Sequence, residues 1–173
     1  MIDEAHAGSK RPVSAMLAGP YGHPFHPILV TVPIGAWVTS LVFDIASRFA
    51  DDPGFLTHGS TWLIAIGVLG AIAAASVGFV DFFTLPARTP AYRTAVVHLS
   101  LNLAVTAAYV VGFLWRHGSP VSGRVEIGQL VLSALSVGVL AVSGALGGRL
   151  AYHFGVRVAD EATQATGFTS SDS

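Results

Sequence analysis

Histidine and proline alternate in the stretch GHPFHP, residues 22–27, just before an apolar run that opens at Pro27. Another histidine, His98, lies inside a separate apolar run, with Asn102 four residues on. Polar groups so placed point to a bound group or a buried partner. Neutral imidazole suits two kinds of ligation. One is axial coordination of a b-type haem between facing helices, with His26 and His98 as ligands and His23 and Asn102 beside them. The other is a divalent metal held by His26, His98 and Asp81, since imidazole and carboxylate bind several such ions. Proline after His23 and after His26 would stiffen those positions and preorganise a ligand.

The same residues have an architectural reading. Proline pushes the residue before it toward extended geometry. His23-Pro24 then forms a stiff lead-in, His26 caps a helix, and Pro27 takes its first position. Pro33 bends the helix that follows. His98, for its part, hydrogen-bonds Asn102 one turn along or a neighbouring helix. The remaining polar residues read as helix-end features. Asp44 is expected to pair with Arg48 at i+4, and Asp81 with Arg88 or Arg93. His58, His117 and His153 fall at or beyond the ends of apolar runs. No nucleophile–base arrangement, phosphate-cradling loop or HExxH motif is present, so a stand-alone enzyme is not expected.

The elements that would position these groups are set by composition. The chain has 173 residues, of which 52% are hydrophobic and only 11% charged, with mean hydropathy +0.63. Ordinary soluble domains carry roughly 25% charge. No Asp, Glu, Lys, Arg or His occurs between Thr61 and Val80, and no charge between Leu99 and Trp115. Runs of that length cross the ~30 Å hydrocarbon core of a bilayer. Four such segments are expected, at about 27–48, 61–80, 94–115 and 127–147. Short Pro- and Gly-containing connections make neighbours antiparallel, giving an all-α, up-down bundle of four transmembrane helices over residues 21–158. A polar tail of 20 residues precedes it, and residues 159–173 form a disordered polar tail. The net charge of −1 excludes a broad basic surface for nucleic acid. The absence of cysteine excludes disulfides, thiolate metal sites and covalent c-type haem. No signal peptide is expected, the first apolar helix serving as the insertion signal.

Six basic residues, Lys10, Arg11, Arg88, Arg93, Arg149 and Arg157, fall on the side of the amino terminus. Arg48, Arg116 and Arg124 fall on the other. The positive-inside bias therefore places both termini in the cytoplasm. Helical periodicity groups Trp37, Ser40 and Asp44 on one face of the first helix, and His98, Asn102, Thr106 and Tyr109 on one face of the third. Small-residue stripes run along the second (Gly67, Ala71, Ala74, Gly78) and the fourth (Gln129, Ser133, Ser136, Gly144, Gly147), as seams for close packing.

GHPFHPILVTVPIGAWVTSLVFD, GFVDFFTLPARTPAYRTAVVHLSLN and GGRLAYHFGVRV together resemble a bacterial family of predicted four-helix membrane proteins of unknown function. The resemblance covers roughly residues 20–158. Its recurrent positions here are His23, His26, Pro33, Asp44, Asp81, His98 and Asn102. Phe154 departs from the family, which often has histidine there; this chain has His153 one place earlier. Some members are fused to a Rieske iron–sulfur domain, which implies a link to electron transfer, here through a separate redox protein. The resemblance also implies the bacterial cytoplasmic membrane. Three functions follow: a non-catalytic membrane subunit or scaffold, a b-haem electron-transfer protein, and a small metal-binding or transport protein.

Overall fold

The computed structural model describes Gly8, Lys10, residues 25–118 and residues 123–168. Helix α1 spans Phe25–Ser47, in two pieces divided at Val30 (Phe25–Leu29 and Thr31–Ser47). Helix α2 is Gly54–Phe82, α3 is Pro90–His117 and α4 is Ile127–Gly148. A π-helical turn, Arg149–His153, extends α4, and a short helix α5, Glu161–Ala165, follows. No strand occurs among the described residues. At 1.5 Å per residue each long helix exceeds the hydrocarbon thickness. The chain is thus an all-α membrane protein with four helices long and apolar enough to span a bilayer.

Local chemistry explains the helix ends. Thr89 is extended and accepts the N–H of Tyr92 at 3.1 Å, and Pro90 occupies the first helical position, so α3 starts a turn before its apolar run. The first turn of α1 takes in His26, expected as its extended cap, whereas the expected His23-Pro24 lead-in lies outside the described residues. His26 is helical, and its carbonyl accepts the N–H of Val30. Proline within a first turn removes no needed donor, so Pro27 leaves this turn intact.

Helix α1 packs on α2 and α4, and α3 packs on the same two, so α1 and α3 face each other across the diagonal. Burial is inverted relative to a water-soluble bundle. The interior holds Ser40, Asp44, Ser47, Ser60, Arg116, Gln129, Ser133, Ser136 and Ser143, while Leu69, Leu103 and Leu135 are exposed outward. Lipid solvates the leucines, and the polar groups find one another inside. Trp37, Ile64, Val105 and Tyr109 form the central apolar cluster. Gly67 permits it, since a Cβ there would overlap the Trp37 indole.

Candidate functional site

Two histidines meet the bundle in the same way. The Nδ1–H of His26 donates to the carbonyl of Ala74 on α2 at 2.9 Å. That of His98 donates to the carbonyl of Ser143 on α4 at 2.8 Å. A carbonyl only accepts, so each neutral ring carries its proton on Nδ1 and keeps a lone pair on Nε2. One turn beyond each carbonyl is a glycine against the ring. A Cβ on Gly78 would lie 2.7 Å from His26 Cε1, and one on Gly147 would lie 3.0 Å from His98 Cε1. The Asn102 amide is 2.9 Å from the His98 carbonyl and 3.4 and 3.2 Å from the two ring nitrogens. Nearly equal distances put it over the ring rather than in line with a lone pair. The two histidines lie at the same end of the bundle, each in the early turns of its helix.

This likeness extends along the chain. His26, Pro33, Trp37, Ser40 and Asp44 on α1 correspond, at an offset of 72, to His98, Val105, Tyr109, Gly112 and Arg116 on α3. All but the two half-buried histidines are buried. At an offset of 69, buried Ser60, Ile64, Gly67 and Ala74 on α2 correspond to buried Gln129, Ser133, Ser136 and Ser143 on α4. The Trp37 indole N–H reaches the Ile64 carbonyl, and the Tyr109 hydroxyl reaches that of the equivalent Ser133. Equivalent residues also meet each other: Trp37 stacks on Tyr109, and Asp44 pairs with Arg116. The bundle is therefore two helical hairpins related by an approximate two-fold axis along its length. Gly144, expected on the α4 seam, is exposed with open space around it. Ser143 takes the inward place.

At the opposite end from the histidines, Asp44 is fully buried and receives both terminal nitrogens of Arg116, at 3.0 and 2.6 Å, together with the Ser60 hydroxyl. The expected pairing with Arg48 does not form. Arg48 instead donates to the Val125 carbonyl at 3.0 Å, because Asp44 faces the core and Arg48 the helix end. Asp81 also departs from expectation. Its partner is Arg157, at 2.7 Å, rather than Arg88 or Arg93. A positive φ of 68° at Gly155 and of 59° at Arg157 folds the segment after α4 back onto α2. Nη1 and Nη2 of Arg157 are buried without a hydrogen-bond partner. Two basic residues counted toward orientation, Arg116 and Arg157, are thus interior ion-pair members.

Among the described residues no three His, Asp or Glu side chains converge as a metal site. Asp81, engaged by Arg157, lies away from that role. His23 is outside the described residues. His153 is exposed against Phe154, and His58 and His117 are exposed at the ion-pair end. What the histidine end offers is two half-buried imidazoles on diagonal helices with a glycine against each, the Asn102 amide 3.2 Å from His98 Nε2, and the Arg157 guanidinium, held by Asp81, with two N–H groups unused. Neutral imidazole nitrogens are chemically suited to iron and other transition metals, and a guanidinium to an acidic group. Arg157 was missed in the sequence, where it reads as a loop cation.

No curated protein and no solved structure matches the chain. A family model described as "Predicted membrane protein (DUF2231)" matches residues 22–160, from the first His-Pro pair to the segment that returns Arg157 to Asp81. The chain belongs to this family of predicted membrane proteins of unknown function.

Proposed function

We propose that this chain is a b-type haem-binding electron-transfer subunit of a membrane, with His26 and His98 as axial ligands and Arg157 as partner for an acidic substituent. One observation carries this reading: each histidine fixes its Nδ1–H on a backbone carbonyl of the next helix, which leaves the lone pair on Nε2. Second-atom hydrogen bonds of this kind are what orient metal-ligating imidazoles. Haem held this way supplies reversible one-electron transfer. Helices α2 and α4 hold the rings through the Ala74 and Ser143 carbonyls, Gly78 and Gly147 keep the space they occupy, and Asn102 bears on the His98 ring. Electrons would pass to or from a separate redox protein. The histidine end is assigned to the cytoplasmic side of the bacterial inner membrane, with both termini there, from the distribution of Lys10, Arg11, Arg88, Arg93 and Arg149.

The test is optical. The chain, produced with added haem precursor and purified in detergent, should show a Soret band and, on dithionite reduction, sharp α and β bands. His26→Ala and His98→Ala should each abolish the low-spin spectrum while leaving the helical circular dichroism unchanged. A colourless protein, or one whose spectrum survives both substitutions, sinks the haem reading. It would leave the second one, a non-catalytic scaffold, which the internal pairing of Asp44 with Arg116 favours.

A further inference from the structure

The ion-pair end holds a cavity of about 420 Å³, walled by the start of α2, the end of α3 and the start of α4. Thr61, Trp62 and Phe113 form part of its wall, with His58, Arg116, His117 and Arg124 around them. We infer that this cavity binds the head group of a membrane quinone.

The wall offers hydrogen-bond donors beside Glu126 and Gln129, which are already engaged. Arg116 is 95% buried, and both its terminal nitrogens are turned to Asp44 and Ser133. Its Nε–H is buried and lacks a partner. The His58 Nε2 accepts the Trp62 indole N–H at 3.0 Å, so the neutral ring donates from Nδ1. His117, exposed at the cavity, packs at a tilt on Phe113, with ring centroids 4.6 Å apart. By contrast, the hydroxyls of Thr57 and Thr61 are already donated to the carbonyls of Gly123 and Thr57. The ligand must therefore supply acceptors. Charge decides which kind. The Arg116 cation is met by Asp44, and Glu126 stands in the same wall, so little net positive charge remains for an anion. A neutral flat ring bearing carbonyl oxygens, with an apolar tail that can run into lipid, meets every condition. Its carbonyl would accept from the ring N–H of His58 or His117, and its ring would lie against Trp62 and Phe113.

This inference is independent of the haem reading. The full chain in phosphatidylcholine nanodiscs is titrated with decylubiquinone, reading quenching of tryptophan fluorescence. Saturable quenching is expected. Thr61→Phe, which fills the cavity, and His117→Phe, which keeps the ring contact and removes the donors, should each weaken it by about ten-fold or more. Because His117 is exposed, its variant keeps the test valid if Thr61→Phe does not fold. The His26→Ala/His98→Ala double variant should bind as the parent does, which separates failure here from failure of the haem site. Quenching that rises linearly, or that is as strong in both cavity variants as in the parent, overturns the inference. So does saturable displacement of the quinone by dodecyl phosphate at lower concentration, which would make the cavity an anion site.

Discussion

Trp37 and Tyr109 lie ring on ring across the bundle centre, with centroids 4.2 Å apart and planes within 11° of each other. They come from the diagonal helices α1 and α3, whose other side-chain contact is the Asp44–Arg116 ion pair further along the bundle. Tyr109→Phe keeps the ring and loses only a long hydrogen bond, 3.5 Å, to the Ser133 carbonyl. Its cost should stay under about 1 kcal/mol. Tyr109→Ala should cost about 3–5 kcal/mol, in line with other buried aromatic truncations. Denaturant unfolding in detergent, followed by circular dichroism, compares the two.

The Asp44–Arg116 pair should show strong non-additivity. Asp44→Asn or Arg116→Gln alone leaves one buried charge without its counter-ion, a loss of about 3–5 kcal/mol. Replacing both with apolar residues, Asp44→Leu with Arg116→Met, removes the orphaned charge and should recover part of that loss. A double variant as unstable as the sum of the two singles would contradict an interior pair. The readout is again unfolding free energy.

Glycines on the histidine faces should tolerate no side chain, whereas Gly138 should. Alanine at Gly78 puts a methyl 2.7 Å from the His26 ring, and at Gly147 puts one 3.0 Å from that of His98. Each should destabilise by about 1–3 kcal/mol, Gly78→Ala the more severely. Nothing lies within 4 Å of a Cβ at Gly138. Gly138→Ala should be neutral or stabilising by up to about 1 kcal/mol, through the helix propensity gained. Thermal midpoints of the three variants, measured side by side, test the ranking.

Arg157 makes a prediction about ligand retention. Arg157→Met keeps an apolar stem and removes the guanidinium, whose Nη atoms have no partner of their own. The variant should bind haem more weakly and lose it during size-exclusion chromatography, while His26 and His98 preserve the low-spin spectrum of whatever remains. If haem is retained as in the parent, Arg157 serves Asp81 alone.

The four helices were legible because uncharged runs of that length have few other uses, and the inward face of α1 was legible because Trp37, Ser40 and Asp44 fall on one helical stripe. The partners of the charged residues were not. Asp44 has Arg48 at the right helical spacing, and only the diagonal packing reveals that Arg116 lies nearer the core. Asp81 finds Arg157 through two residues with positive φ, a backbone route that no periodicity announces. On α4 the stripe drifted by one residue, since Gly144 and Ser143 both fit a small-residue pattern. A serine that hydrogen-bonds the His98 backbone carbonyl has the stronger reason to face inward. The hairpin likeness was present in the order of His98, Tyr109 and Arg116 after His26, Trp37 and Asp44. It becomes visible only once the buried positions are known, because histidine and little else is identical between the two α1 and α3 sets.

The two-fold relation of the hairpins bears on which halves can assemble. Each hairpin crosses the bilayer twice and returns to the face it left, so a duplicated copy inserts in the same orientation without any change in its flanking charges. Two identical first hairpins would set Asp44 against its own copy, two carboxylates facing each other in a dry interior. Arg116 at the equivalent position turns that repulsion into attraction. The two halves of this chain are therefore suited to each other and not to themselves.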